Sequence, residues 1–347
     1  MEHLAPSVIG KNPFRIEDIW QHMYVDEFYS PGREKIHALG GIDMALWDIK
    51  AKAFKAPLHQ LLGGQLRDFV ECYATSGLPR ELAGGRGGRG AQMSLAQRAA
   101  ATMEAGYKVF RVDTAIGGRI DDNVFDTRKR VMLVADACKE IREGVGRYGN
   151  WMIDFHQRFD FADALLCCKM IEEYRPFLVE DPVREEMFEQ DVPKLRMMTT
   201  CPLAPGEEWG QRWTFNKLVE NHDVDYIRAT LPNVGGVSEM LKIMGMCETH
   251  TVGIVPHFTG PIATAALVNV MSTFPGVTLM EYNYGTQGID YLPEFLDFKD
   301  GKLYPNLRHG IGVTVDTAKL KPLSEFDQAG GWGRRTYRRP DGSPTHW

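Results

Sequence analysis

The sequence lacks the features that would place it in a membrane, outside the cell or on nucleic acid. Its 347 residues contain no run of eighteen apolar residues, and the amino end, MEHLAPSVIGKNPF, has no basic patch followed by an apolar core. Forty basic residues against 46 acidic ones give a net charge of −6, which disfavours a polyanionic partner. We therefore expect a cytoplasmic protein that contacts neither membrane nor nucleic acid.

Cysteine is sparse and has no framework spacing. The six cysteines form no CxxC pair, and the adjacent Cys167 and Cys168 lie in ADALLCCKMIEEY, whose apolar residues cover one face of a helix. Buried free cysteine behaves as a small hydrophobic residue. We expect six reduced core residues and no cysteine nucleophile.

Signature motifs of several enzyme classes are also absent. The GxSxG, HExxH and GKS/GKT patterns of α/β-hydrolases, zincins and P-loop proteins do not occur. A literal GxGxxG stands at residues 85–90, but it neither follows a strand directly nor opens a helix, as a dinucleotide site requires. We interpret it as a loop.

What the chain does contain is a series of short apolar runs, each followed by a stretch of helical periodicity. Eight such runs occur, at residues 69–74, 108–113, 151–155, 177–181, 201–206, 225–230, 252–257 and 277–282. Repeated βα units predict parallel strands, and eight of them close a barrel. We predict an α/β fold with a (β/α)₈ barrel over residues 67–294.

The flanking segments, residues 1–66 and 295–347, are predicted to form a second layer against the barrel. Residues 40–64 read as a helix that stops before Pro57, and LDFKDGKLYP carries the Asp-Gly signal of a hairpin. Ser94 is a candidate N-cap for a helix over residues 95–105. The last residues read as an irregular tail.

Polar residues stand at the predicted carboxyl ends of the strands, where barrel enzymes carry their active sites. Alternation along the third strand predicts Asp154 and His156 on one side. Glu180 and Glu207 end the next two runs, His257 the seventh and Glu281 the eighth; acidic residues there can also be solvated loop starts. Three converging carboxylates repel one another unless a cation neutralises them, and oxygen ligands favour Mg²⁺ first and Mn²⁺ second.

These motifs together resemble the mandelate racemase and muconate-lactonizing branch of the enolase superfamily. The resemblance extends over nearly the whole chain, from GGIDMALWDIKAKAFKAPLHQLLGG through IDFHQRF, FLVEDP, APGEEWG and VPHFTGPIATAALVN to LMEYNYG. The DxH at the third strand, IRAT before NVGG and the closing DGSPTHW resemble most closely the acid-sugar dehydratases of mannonate, galactonate or gluconate type. The resemblance implies a barrel with an α+β capping domain and a homo-oligomer.

The resemblance also implies a reaction. One Mg²⁺ bound by Asp154, Glu180 and Glu207 would hold the substrate carboxylate while a base removes the proton on the adjacent carbon. Loss of the 3-hydroxyl would then give a 2-keto-3-deoxy acid, which makes the protein a hydro-lyase. We assign the remaining roles as follows: acid and base to His156 and His257 in an order left open, substrate steering to Arg111 and Arg228, and a hydrogen bond near the metal-bound carboxylate to Glu281.

Four features depart from the family pattern. Arg111-Val-Asp113 stands where many relatives have Lys-x-Lys, and Thr230 stands where an aspartate often orients the histidine. The segment after the second strand, TAIGGRIDDNVFDTRKR, has no tyrosine to act as a base. Relatives carry further residues before a segment like IGKNPFRIEDIW, so we expect a partial cap without its usual first strands.

The alternatives to a dehydratase are a racemase, epimerase or cycloisomerase of another carboxylate, and a catalytically weak sugar-acid-binding or regulatory homologue.

Overall fold

The structure is a computed structural model that describes residues 4–29, 31–74, 82, 92–114, 124–282, 289–294, 296–322 and 337–345. The glycine-rich stretch at residues 85–90 and most of the segment after the second strand, residues 115–123, lie outside the described residues.

Eight short strands coincide with the eight predicted runs. They are β1 (Val70–Tyr73), β2 (Val109–Asp113), β3 (Asn150–Asp154), β4 (Val179–Glu180), β5 (Leu203–Ala204), β6 (Tyr226–Ile227), β7 (Gly253–Ile254) and β8 (Met280–Glu281). Most of their residues are buried, as expected for strands covered on both faces.

The strands close into a barrel in chain order. Parallel pairing joins β5, β4, β3, β2, β1 and β8, and β6 pairs with β7. The amide of Arg228 donates to the carbonyl of Pro205 over 3.0 Å beside β5, and a bridge between Ile254 and Thr278 joins the seventh unit to the eighth. The predicted (β/α)₈ barrel is confirmed.

Helices form the outer layer and the cap. The described helices are α1 (Ile16–Val25), α2 (Arg33–Ala53), α3 (Leu58–Leu61), α4 (Leu95–Glu104), α5 (Thr127–Val145), α6 (Phe161–Ile171), α7 (Phe188–Met198), α8 (Arg212–Glu220), α9 (Val237–Thr249) and α10 (Pro261–Met271). Ser94 caps α4 as predicted, since its hydroxyl accepts from Gln97 N over 3.2 Å. None of the described helices has the length and apolarity that crossing a bilayer requires.

The cap is built on α1 and α2, which share a separate cluster of buried apolar residues around Trp20 and Leu39. The helix predicted within residues 40–64 ends before Pro57 as expected, at Ala53, although it begins earlier, at Arg33; the chain then resumes as the one-turn α3. Helix α2 lies against the start of α9, where Asp43 accepts from Ser238 N over 3.0 Å. This contact fixes the cap to the barrel wall.

The carboxyl-terminal segment returns to both layers. The predicted hairpin forms from β9 (Asp297–Lys299) and β10 (Lys302–Tyr304), and β10 adds antiparallel to β1. The prediction of an irregular tail is wrong near the carboxyl end, where β11 (Tyr337–Arg338) and β12 (Pro344–Thr345) form a second hairpin. This hairpin is held beside the β2 to α5 connection by a 2.7 Å bond from Phe125 N to the carbonyl of Arg338.

All six cysteines are buried and free, as predicted for reduced core residues.

Candidate active site

Three carboxylates lie at the carboxyl ends of adjacent strands, where the sequence predicts them. Asp154 ends β3, Glu180 ends β4, and Glu207 lies three residues beyond the end of β5. Their exposed fractions are 1%, 0% and 7%. Buried carboxylates need charge partners or metal ions, so this arrangement marks the mouth of the barrel as the candidate site.

His156 reaches this site by a route that strand alternation does not describe. Strand β3 ends at Asp154, and His156 and Gln157 have φ angles of 51° and 59°, in the left-handed region. The turn is held by a 2.6 Å bond from His156 N to Asp154 Oδ1. The prediction that alternation aligns the two side chains is wrong in its reason, because a side-chain-stabilised turn positions the imidazole instead.

Two imidazoles flank one carboxylate. His156 Nε2 lies 3.6 Å from Glu207 Oε1, and His257 Nε2 lies 3.6 Å from Glu207 Oε2. Thr230, in place of the aspartate that often orients the histidine, donates to the backbone carbonyl of Glu207 over 3.1 Å. Thr230 therefore supports the position of Glu207, and the histidines face each other across it.

The two arginines predicted to steer the substrate lie among the carboxylates. Arg111 Nη2 is 2.6 Å from Asp154 Oδ2, and Arg228 Nη2 is 2.5 Å from Glu180 Oε1. Their exposed fractions are 7% and 0%. In this structure both act as buried counter-ions of the acidic residues; their contact with a substrate stays a prediction.

Glu281 belongs to the same network. Its Oε2 accepts from Arg228 Nη2 over 3.1 Å, from the Tyr73 hydroxyl over 3.1 Å and from Phe258 N over 2.7 Å. Burial alone would raise the pKa of Glu281, but Arg228 and Arg111 lower it to about 2. Glu281 is therefore an ionised acceptor bound to Arg228, and its predicted place near a substrate carboxylate stays a prediction.

The three strand-end acids carry more negative charge than the arginines balance. Burial, followed by repulsion from Glu180, raises the pKa of Asp154, and burial with repulsion from Asp181 and Asp154 raises that of Glu207. Glu180 Oε2 and Glu207 Oε2 are buried without a hydrogen bond, whereas Glu180 Oε1 is paired with Arg228. Oxygens of this kind are the ligands that a hard divalent cation uses.

The donor set fits such a cation, but the ligands are not gathered around one point. Among the residues that the structure describes, no group of three histidine, cysteine, aspartate or glutamate side chains is close enough to hold a metal ion. The guanidinium groups of Arg111 and Arg228 lie between the carboxylates and contact them directly.

Burial favours the neutral form of both histidines near pH 7. Burial, followed by the positive charge of Arg158, lowers the pKa of His156 to about 4. Burial also lowers the pKa of His257. A neutral imidazole can accept a proton, so the site holds two candidate bases.

Sequence reasoning missed several residues of this site. Tyr73 ends β1, and its buried hydroxyl accepts from Arg228 Nη1 over 2.6 Å; its strand-end position could have identified it. Arg33 reaches the mouth from the start of α2, where its Nη1 donates to Glu208 Oε2 over 2.8 Å and its Nη2 to Glu185. No local signal links this cap residue to the barrel, because only the packing of α2 brings it there.

Two family descriptions match this chain, one over the cap and one over most of the barrel. Residues 1–63 match the family description "Mandelate racemase / muconate lactonizing enzyme, N-terminal domain", and residues 94–319 match "Enolase C-terminal domain-like". This chain belongs to the mandelate racemase and muconate lactonizing family. The recognition made from its motifs is thereby confirmed, and the residues assigned to the barrel and its mouth lie largely within the second match.

Named relatives in this family span the whole chain. D-galactonate dehydratases of Pectobacterium atrosepticum and Verminephrobacter eiseniae are 32% and 34% identical to it, over all of this chain and 88% of each relative. Among solved structures, an enolase of Agrobacterium radiobacter with bound sodium and L-malate has a TM-score of 0.83 at 26% identity, over all of this chain and 88% of that one. An enolase superfamily member of Salmonella Typhimurium has a TM-score of 0.80 at 28% identity, over 90% and 83%.

Proposed function

We propose that this protein is a Mg²⁺-dependent dehydratase of a sugar acid. It would remove the proton on the carbon next to the substrate carboxylate and expel the 3-hydroxyl as water, leaving a 2-keto-3-deoxy acid. The observation that carries this proposal is the set of buried strand-end carboxylates with two neutral imidazoles 3.6 Å from one of them. The curated relatives named D-galactonate dehydratase support the hydro-lyase class and a sugar-acid substrate.

Asp154, Glu180 and Glu207 would hold the cation, with Mn²⁺ as the second choice. When bound, it supplies positive charge that stabilises the negative charge formed on the substrate carboxylate as the proton leaves. The Oε2 atoms of Glu180 and Glu207, which are buried without a hydrogen bond, support this assignment. A bound ion would also reduce the repulsion between these acids and thereby stabilise the folded protein.

His156 and His257 would carry the proton. Because both imidazoles are neutral near pH 7, either can accept the proton from the carbon at its Nε2. The 3-hydroxyl needs a proton to leave as water, and an imidazole that has just accepted one can donate it. Which histidine takes which role depends on the face of the substrate that each one meets.

A sugar-acid-binding homologue without turnover is the second candidate. It is favoured by Thr230, which stands where an aspartate often orients the histidine and instead donates to the backbone of Glu207. It is also favoured by the direct contacts of Arg111 and Arg228 with the proposed metal ligands.

One screen separates the two candidates. The protein is incubated with Mg²⁺ and a panel of aldonic and aldaric acids, and 2-keto-3-deoxy product is measured by semicarbazide absorbance. A dehydratase gives product with at least one acid. A binding protein gives a ligand-dependent rise in melting temperature with no product.

Variants test the assigned roles. His156→Ala or His257→Ala is expected to abolish turnover and to leave Mg²⁺ binding intact, whereas Glu207→Ala is expected to lose both. Mg²⁺ binding is measured by calorimetry, so that it is read independently of turnover. Full activity in both histidine variants would contradict the proton-transfer assignment.

A further inference from the structure

A small cavity opens directly beside the candidate reacting groups. Its volume is about 180 Å³, below the roughly 300–1,000 Å³ of pockets that hold drug-sized ligands. His156 and Glu207 line its inner side. Glu207 is more than nine-tenths buried, and its Oε2 has no hydrogen bond. A polar ligand in the cavity would therefore contact the reacting groups at one end.

The outer wall of the cavity is acidic. Glu185, Glu186 and Glu208 line it, and Arg184 is its one cation among the described lining residues. Arg184 Nε already pairs with Asp160 over 2.7 Å. The wall therefore offers carboxylate acceptors and has no surplus of positive charge.

A residue of the cap, Arg33, neutralises part of the negative charge of this wall. Arg33 Nη1 donates to Glu208 Oε2 over 2.8 Å, and its Nη2 donates to Glu185. One guanidinium thus pairs with two carboxylates that both line the cavity. The single positive charge of Arg33 offsets only one of the two negative charges of Glu185 and Glu208.

Hydroxyl groups and carboxylates behave differently against such a wall. A hydroxyl donates a hydrogen bond to a carboxylate oxygen, whereas an ionised carboxylate has no donor and is repelled. The comparisons leave the choice open, because the named relatives act on galactonate, which has one carboxylate, and the Agrobacterium structure holds L-malate, which has two.

We propose that this cavity receives the far end of the substrate, and that Glu185 and Glu208, held by Arg33, select a hydroxyl group there over a second carboxylate. The substrate class is then the aldonic acids, and the corresponding aldaric acids are discriminated against. This inference rests on the proposed function, because the sugar-acid carboxylate at the reacting end is what places the other end in the cavity.

The test compares acids that differ only at the far end. Affinities of the wild-type protein are measured by calorimetry in excess Mg²⁺ for gluconate against glucarate and galactonate against galactarate, and kcat/KM is measured for any acid that is turned over. We expect the aldonic acid of at least one pair to bind roughly threefold to tenfold more tightly, since the wall charges are partly exposed to solvent. Equal or tighter binding of both aldaric acids would overturn the proposal.

Removing a negative or a positive charge from the wall should change the aldonate-to-aldarate affinity ratio in opposite directions. Glu185→Gln should move the aldonate-to-aldarate affinity ratio toward one, whereas Arg33→Gln should increase the ratio because it leaves two carboxylates unneutralised. Glu189→Gln is the matched control, since it removes the same charge four residues further on, from an exposed position outside the cavity lining. A ratio that is the same in the wild type, Glu185→Gln and Arg33→Gln would overturn the role of the wall.

The outcomes separate this inference from the proposed function. Preferential binding of aldonic acids without any turnover would contradict the dehydratase and leave the inference standing. Turnover of an aldaric acid at the same efficiency as its aldonic partner would support the dehydratase and overturn the inference. Binding of neither class would overturn both.

Discussion

Asp43 is a carboxyl group that the fold removes completely from water. It lies on α2 with an exposed fraction of 0%, and it accepts from Ser238 N over 3.0 Å and from the Ser238 hydroxyl over 2.6 Å. Burial raises the pKa of Asp43 to about 7, although the bonds from Ser238 partly offset this. The folded chain therefore binds a proton here that the unfolded chain releases near pH 4.

The sign of the pH dependence follows from this difference. Between about pH 4 and pH 7 the folded state holds more protons at Asp43, so the stability that this group contributes is lost as the pH rises. We expect the free energy of unfolding of Asp43→Asn to rise relative to that of the wild type by up to about 1.4 kcal/mol for each unit of increasing pH in this range. Urea unfolding at pH 5, 6, 7 and 8 measures the difference, and parallel profiles of the two proteins would contradict the prediction.

Tyr73 connects two charged residues of the site through one hydroxyl. It accepts from Arg228 over 2.6 Å and donates to Glu281 over 3.1 Å, and all three side chains are buried. We expect Tyr73→Phe to lower the free energy of unfolding by about 1–3 kcal/mol, because both partners lose a bond that water cannot replace.

A double-mutant cycle with Glu281→Gln tests whether this loss passes through the carboxylate. If the Tyr73 hydroxyl acts on Glu281, the two changes are coupled by about 0.5–3 kcal/mol in unfolding free energy. Additive effects would show that the loss at Tyr73 comes from packing or from Arg228 alone.

At the scale of the element, α2 approaches the barrel so closely that one of its positions admits no side chain. A Cβ added at Gly40 would lie 2.2 Å from the carbonyl oxygen of Pro232 and 3.0 Å from Gly236 N. The neighbouring Gly41 has no heavy atom within 4 Å of the corresponding point. Of these two adjacent glycines, only Gly40 is required by a close contact.

The pair provides a matched test of the contact between cap and barrel. Gly40→Ala is expected to destabilise the protein by roughly 1–3 kcal/mol, because α2 must move away from the loop that precedes α9. Gly41→Ala is expected to stabilise it by about 0.5–1 kcal/mol, because alanine is the better helix former. Thermal unfolding of both variants measures the signs, and a loss of equal size in both would contradict the close approach.

Across the whole molecule, one charged network connects the strands at the mouth of the barrel. Arg111 on β2 pairs with Asp154 on β3, and Arg228 beyond β6 pairs with Glu180 on β4 and with Glu281 on β8. The repulsion among the acids is carried by the folded state alone, because unfolding separates them. Any cation that relieves it should therefore stabilise the fold.

This predicts a global effect of Mg²⁺. At a concentration one hundred times its dissociation constant, the ion should add about 2.7 kcal/mol to the free energy of unfolding, seen as a rise in melting temperature that EDTA reverses. Glu180→Gln should lose most of this Mg²⁺-dependent rise, whatever its own melting temperature. Glu189→Gln, outside the site, should retain it. A wild-type melting temperature that Mg²⁺ does not change would contradict the metal assignment.

The sequence by itself determined the barrel and the candidate ligands. The eight apolar runs repeat at the spacing of βα units, and that local period forces Asp154, Glu180 and Glu207 to the same end of neighbouring strands. Parallel strands that are buried on both faces leave little freedom in this placement.

Only the tertiary structure decided how those side chains are engaged. The turn at His156, the pairing of Arg228 with Glu180 and the reach of Arg33 from the cap to Glu185 and Glu208 join residues that are distant in sequence or that depend on a left-handed backbone. Local periodicity carries no information about such contacts. They are set by the packing of cap against barrel and by the balance of buried charge, both of which are properties of the whole fold.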